Sequence, residues 1–95
     1  MKFAFLIIGS FNIEQDRASI HDGTAQIIGI ADMQEAIAVA RQLCEDGIDC
    51  IELCGAFGPD GAREIMDATK NKVPVGYITH LPEQDAVFKA AFSKS

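Results

Sequence analysis

The segment from Asp49 to Gly58 concentrates the residues of this chain that could do chemistry: Cys50, Glu52 and Cys54 alternate along an apolar run that ends in Gly55-Ala56-Phe57-Gly58. Read as a strand, the run puts Cys50, Glu52 and Cys54 on one face and Ile51 and Leu53 on the other, where helices would meet them. A carboxylate in the middle of an interior strand is costly unless something offsets its charge. Glu52 must therefore pair with Arg17 or Arg63, lie on an open sheet face, or sit in a pocket with an altered pKa. In a pocket it would act as a general base or a ligand anchor. His80 ends the next strand, so Cys54, His80 and Glu52 together suggest a nucleophile, a base and an orienting acid. Against this, Cys54 carries no nucleophile-elbow or protease signature, and a buried cysteine commonly behaves as an inert small hydrophobe. His80 serves equally well as a cap for the helix that follows it.

The turn after this strand offers a second kind of site. Gly55 and Gly58 let backbone approach a ligand, and the free amides of the following helix suit a phosphate or carboxylate. The turn has neither GxGxxG spacing nor a P-loop lysine, and Asp60 would repel an anion, so a plain strand-to-helix turn explains it as well. Ser10, Arg17, Gly55, Phe57 and Gly58 are the candidate ligand-binding residues. Arg17 belongs to a loop from Phe11 to Gly23 that is long for so small a domain, and it could fold over the strand ends toward an anion or Glu52. His21 and His80 are isolated, and no CxxC or HxxxH spacing occurs, so no metal site is expected and no cofactor is indicated.

The elements that must position these residues fit one domain, 1–95. The chain is 48% hydrophobic and 23% charged, which excludes a disordered polypeptide. A net charge of -6 without a basic cluster argues against nucleic acid and against anionic membrane surfaces. The apolar run Phe3 to Ile8 is too short for a membrane span or a secretion signal. Three cysteines without secretory context point to reduced thiols and a cytoplasmic location. Cys50 and Cys54 would lie about 13 Å apart along one strand, too far for a disulfide.

The pattern predicts strands over 3–8, 24–30, 49–54 and 73–79 and helices after Asp32, Pro59 and Pro82, in the order β-β-α-β-α-β-α. The first helix is the best marked. Asp32 and Glu35 have capping-box spacing, Met33, Ala36, Ile37, Ala40, Leu43 and Cys44 form one stripe, and Gly47 closes it. The last helix has Glu83 and Asp85 early and Lys89 and Lys94 late, the sense that complements its dipole. The expected fold is a small α/β domain with a mainly parallel four-stranded sheet and helices mostly on one face. An apolar sheet face is then left to cover. Self-association as a homodimer or higher oligomer is the simplest cover, with a small-molecule site near the subunit boundary.

With Cys50-Ile-Glu-Leu-Cys-Gly-Ala-Phe-Gly58 and Thr79-His-Leu-Pro-Glu-Gln-Asp85 in hand, the chain resembles a prokaryotic family of small proteins catalogued as a domain of unknown function, number 6506. The likeness runs from the Lys2-Phe-Ala-Phe-Leu-Ile-Ile-Gly9 opening through Val73-Pro-Val-Gly-Tyr77, and Ile51 to Gly58 is its most distinctive part. The resemblance implies a stand-alone bacterial or archaeal protein and supplies no activity or catalytic residue. Two expectations follow from the residues. One is a small-molecule binder or enzyme using Ser10, Glu52, Cys54, the glycine turn and His80. The other is a non-catalytic subunit that self-associates through its open sheet face.

Overall fold

The computed structural model describes residues 1–93. Five strands form one sheet: β1 (Phe3–Ile8), β2 (Arg17–Ile20), β3 (Ala25–Ile30), β4 (Cys50–Leu53) and β5 (Val75–Tyr77). Their order is β2-β3-β1-β4-β5. β1 runs parallel to β3 and β4, β4 runs parallel to β5, and β2 is antiparallel to β3. The expected four strands are thus five, because the Phe11 to Gly23 loop contains β2. The element order is likewise corrected from β-β-α-β-α-β-α to β-β-β-α-β-α-β-α. The first strand, whose place the sequence left open, lies at the centre of the sheet, between β3 and β4. Its pairing with β4 joins residues far apart in the chain, so no local pattern announces it.

Helix α1 (Met33–Glu45) connects β3 to β4, and α2 (Gly58–Ala68) connects β4 to β5. Both crossovers step the same way across the sheet. Crossovers of one hand then place both helices on one face, where they pack against each other. Asp32 caps α1 by accepting from the Glu35 amide at 2.9 Å, while the Glu35 carboxylate accepts from the Ala31 amide at 2.8 Å. The far end closes as predicted at Gly47, whose φ is +87°. Ile48 donates to the Leu43 carbonyl and Gly47 to the Cys44 carbonyl, a complete Schellman closure. Against this helix layer lie Ala4 and Leu6 of β1, Ile28 and Ile30 of β3, and Ile51 and Leu53 of β4, all fully buried.

The connection from β1 to β3 steps the other way. In a sheet covered on both sides that connection would carry a helix over the opposite face. Here it carries β2, which stays in the plane of the sheet. That is why, among the described residues, the second face has no layer over it. Phe3, Ile27 and Ile20 on that face keep 40%, 42% and 69% of their surface exposed.

The last helix does not compensate. After a 3-10 turn at Pro82–Gln84, α3 (Asp85–Phe92) has no buried residue. Val87 is 58% exposed. The chain's radius of gyration is 13.7 Å, against about 12 Å for a compact chain of this length, as a projecting helix requires. The acidic start of α3 at Asp85 and its basic Lys89 are as expected, whereas Lys94 lies outside the described residues.

Candidate functional site

Register fixes what shares the open face with Glu52. Phe5 of β1 stands opposite Ile27 on one side and Glu52 on the other, and Phe3 stands opposite Ala25 and Cys50. Glu52 in turn pairs with Gly76 of β5, and Ala18 and Ile20 of β2 face Ile27 and Ala25. The open face is therefore built from Phe3, Phe5, Ile7, Ile20, Ile27 and their small neighbours, with Glu52 as its charged residue.

The Glu52 side chain lies over Gly76. A Cβ at that glycine would sit 2.8 Å from Glu52 Oε2, so the missing side chain is what gives the carboxylate its place. Its hydrogen-bond partner is the Cys50 thiol, which donates to Glu52 Oε1 at 3.5 Å. Burial, followed by this hydrogen bond and the carboxylate's charge, raises the Cys50 pKa above its ordinary value. Neither predicted arginine reaches Glu52. Arg63 pairs with Asp60 one turn away at 3.0 Å on the surface of α2, and Arg17 stands at the exposed start of β2. Of the three settings open to Glu52, the structure selects the open sheet face.

Cys54 and His80 occupy settings of their own. The Ile8 amide donates to Cys54 Sγ at 3.4 Å, which ties the thiol to the end of β1. His80 Nε2 lies 2.7 Å from Asp85 Oδ1, and its ring stacks on Phe88 with centroids 3.9 Å apart and planes 9° from parallel. Among the described residues no hydrogen bond joins His80 to Cys54 or Glu52. His80 fastens the first turn of α3, the capping role weighed against catalysis above.

The glycine turn is shaped by the fold's own needs. Phe57 is 7% exposed and belongs to the core. Gly58 takes φ 63° and ψ -178°, a region that essentially only glycine enters. Gly55 opens the 3-10 turn Gly55–Phe57 that leads into α2. Ser10 is exposed just beyond β1.

Sequence reasoning passed over Phe11. Its ring folds onto the open face: a Cβ at Gly29 would meet Phe11 Cγ at 2.7 Å, and one at Gly9 would meet its ring edge at 3.0 Å. The Gly29 amide also donates to the Asp16 carbonyl at 2.7 Å, which pins the same loop. A shallow depression of about 190 Å³ results, lined by Ile7, Phe11, Asp16, Arg17, Ile27 and Gly29. The available signal was an aromatic residue directly after Gly9-Ser10, facing a glycine in an otherwise isoleucine-rich strand. A second depression, of about 250 Å³, lies between the C-terminal ends of α1 and α2 beside Arg41, Cys44, Lys70 and Lys72.

Among the described residues, no group of three or more His, Cys, Asp and Glu is placed to hold a metal ion, and no helix is long and apolar enough to cross a membrane. Taken together, the elements define a small α/β protein with a mainly parallel sheet, one helix-covered face and one open face. The chain belongs to a family of unknown function, DUF6506, whose model matches residues 1–93. No curated protein and no solved structure matches it.

Proposed function

We propose that this protein works as a self-associating subunit, with the open face of its sheet as the interface between copies. The observation that supports this is the missing layer. Phe3, Phe5, Ile7, Ile20 and Ile27 form an apolar surface that no helix among the described residues covers, although α3 carries apolar side chains that could have done so. Exposed apolar patches of this kind mark interaction surfaces. Sedimentation velocity tests the reading. Wild type is expected to sediment as a dimer or higher oligomer, and Ile27→Glu as a folded monomer with an unchanged circular dichroism spectrum. A wild type that is monomeric at about 0.1 mM, roughly a hundredfold above a micromolar Kd, overturns it.

A small-ligand site at the strand ends is the second reading, and topology favours one place for it. Order reverses at β1, whose neighbours β3 and β4 follow it in sequence, and ligands of open α/β sheets bind at such switch points. The loop after β1 turns to the open face through Phe11, while the loop after β4 turns to the helix face through Phe57. Ser10 follows β1 there and Cys54 and Gly55 follow β4, with Glu52 two residues before Cys54 on the same side of the strand. Thermal shifts of wild type and Glu52→Gln against phosphates, carboxylic acids and metal ions test it. Stabilisation by one compound that is absent in the variant supports a ligand site; no shift across the panel sinks it.

A further inference from the structure

The two connecting helices close in the same way with different residues. Each ends in a Schellman closure, with Ile48 donating to the Leu43 carbonyl after α1 and Asn71 to the Met66 carbonyl after α2. The left-handed residue that the closure needs is Gly47 in the first case. In the second it is Lys70, at φ 55°. A lysine there holds a conformation that glycine enters freely and other residues seldom do, and such outliers gather where ligands are held. We propose that Lys70, with Arg41 and Lys72, binds the phosphate group of a small phosphate monoester in the depression between the two helix ends.

Charge points to an anion. The chain has 14 acids against 8 lysines and arginines, yet three of those cations line this one depression, with Glu45 as the acid among its lining residues. Among the described residues the ion pairs are Arg63–Asp60 and His80–Asp85, so no carboxylate neutralises any of the three. Glu45 stands one turn from Arg41 on α1, but the guanidinium reaches across to α2, where Nε donates to the Ala68 carbonyl at 3.4 Å. That contact leaves the outer N–H groups of Arg41 as a fork that fits two phosphate oxygens. At about 250 Å³ the depression holds more than a bare phosphate, since one water takes about 30 Å³ of liquid. Cys44 and Ala68 supply apolar lining for the carbon part of an ester.

Cations near helix C-termini have an ordinary role, which is to complement free carbonyls and the dipole. At the end of α2 those carbonyls are already taken. Ile65, Met66, Asp67 and Thr69 accept from the amides of Thr69, Asn71, Lys70 and Lys72, and Ala68 accepts from Arg41. The Thr69 hydroxyl donates to the Ile65 and Met66 carbonyls as well. The ammonium groups of Lys70 and Lys72 are thus left for something outside the chain, and a closed helix end opposes an anion less than an open one. The depression precedes β4 and β5, at the other end of the sheet from the strand-end site considered above.

Calorimetric titration with glycerol phosphate, at an ionic strength held constant with sodium chloride, tests this. Wild type should bind with a Kd of about 1 mM or tighter, and more tightly than it binds inorganic phosphate. Lys70→Gly and Lys72→Gln should each raise the Kd about fivefold or more, and Glu45→Gln should lower it. Without ligand, Lys70→Gly should melt at a higher temperature than wild type, because glycine accepts the left-handed turn. Binding lost from a more stable protein is not lost through misfolding. Glu52→Gln should leave the Kd unchanged, which separates this site from the strand ends. No binding by wild type at about 10 mM ligand, or a Kd unaltered in both Lys70→Gly and Lys72→Gln, overturns the site. Tighter binding of malonate or of inorganic phosphate than of glycerol phosphate overturns the monoester as its ligand.

Discussion

The two faces of the sheet are made from the same strands and nearly the same residue types, yet they end in opposite states. Leu6 is fully buried under α1 and α2, while Phe5 beside it in the chain points to a face with no layer above it. Hydrophobicity does not separate the faces, since Leu6, Ile28, Ile30 and Ile51 lie on one and Phe3, Phe5, Ile7 and Ile27 on the other. What separates them is the connection between parallel strands: a helix returns over a face, whereas β2 returns in the plane. Apolar content on the open side is what supports the proposed contact between copies.

The largest expected effect sharpens this contrast at two adjacent residues. Leu6→Ala should cost about 2–5 kcal/mol in urea unfolding, the range for a buried leucine left as a cavity. Phe5→Ala should cost the isolated chain about 1 kcal/mol or less, because its ring is only half buried. The two should differ in kind as well. For an associating chain the unfolding midpoint rises with protein concentration. Leu6→Ala should keep that dependence at a lower midpoint, and Phe5→Ala should flatten it. Equal losses with equal concentration dependence would erase the distinction between the faces.

A smaller effect tests the corner where the open face is partly closed. Gly29→Ala forces a methyl group against Phe11 Cγ and Cβ at under 3 Å, and neither atom is the free end of a flexible side chain. Overpacking of this kind costs about 1–3 kcal/mol. Phe11→Ala in the same chain should recover most of the loss, which thermal melts of the single and double variants will measure. Additive losses would show that Phe11 is not held on the face.

The smallest effect lies in titration. Burial, with Glu52 beside it, keeps the Cys50 thiol protonated beyond its ordinary range. Its alkylation by iodoacetamide should therefore rise at a higher pH than that of an exposed thiol, and Glu52→Gln should move the rise to lower pH. The stability linked to this proton is present below the unfolded pKa and is lost as pH climbs through the raised folded one. The alkaline fall in stability should accordingly be shallower in Glu52→Gln. Identical alkylation profiles would separate Cys50 from Glu52.

Local signals carried much of this structure. Asp32, Glu35 and Gly47 announce both ends of α1, and alternation alone assigns Glu52 to the side opposite Ile51 and Leu53. What failed to show was set by contacts distant in sequence. Arg17-Ala-Ser-Ile is short and lacks a clear alternation, so β2 looks like loop until β3 pairs with it. The central place of β1 depends on two partners, neither adjacent in the chain. Phe57 reads as part of a glycine turn because nothing beside it states that its ring enters the core. The start of α3 has every mark of a docking helix, and no local residue says that its own sheet is not the dock. Of the two arginines weighed as partners for Glu52, Arg63 meets Asp60 within its own helix and Arg17 opens an edge strand.

A central first strand also sets an order of events during synthesis. β1 leaves the ribosome before any of its partners, yet the contacts that seat its start, the Lys2 amide donating to the Asp49 carboxylate and the Asp49 amide donating to the Lys2 carbonyl, span 47 residues. Until β4 emerges, the aromatic and aliphatic side chains of Phe3 to Ile8 have one strand neighbour, β3, and one helix, α1, on a single face. Pairing across such a separation is slow, and surface left waiting in this way is prone to wrong association. Completion of the sheet centre, rather than formation of the well-capped α1, should therefore limit the folding rate. Nascent chains that stop before Leu53 should be the ones that chaperones hold.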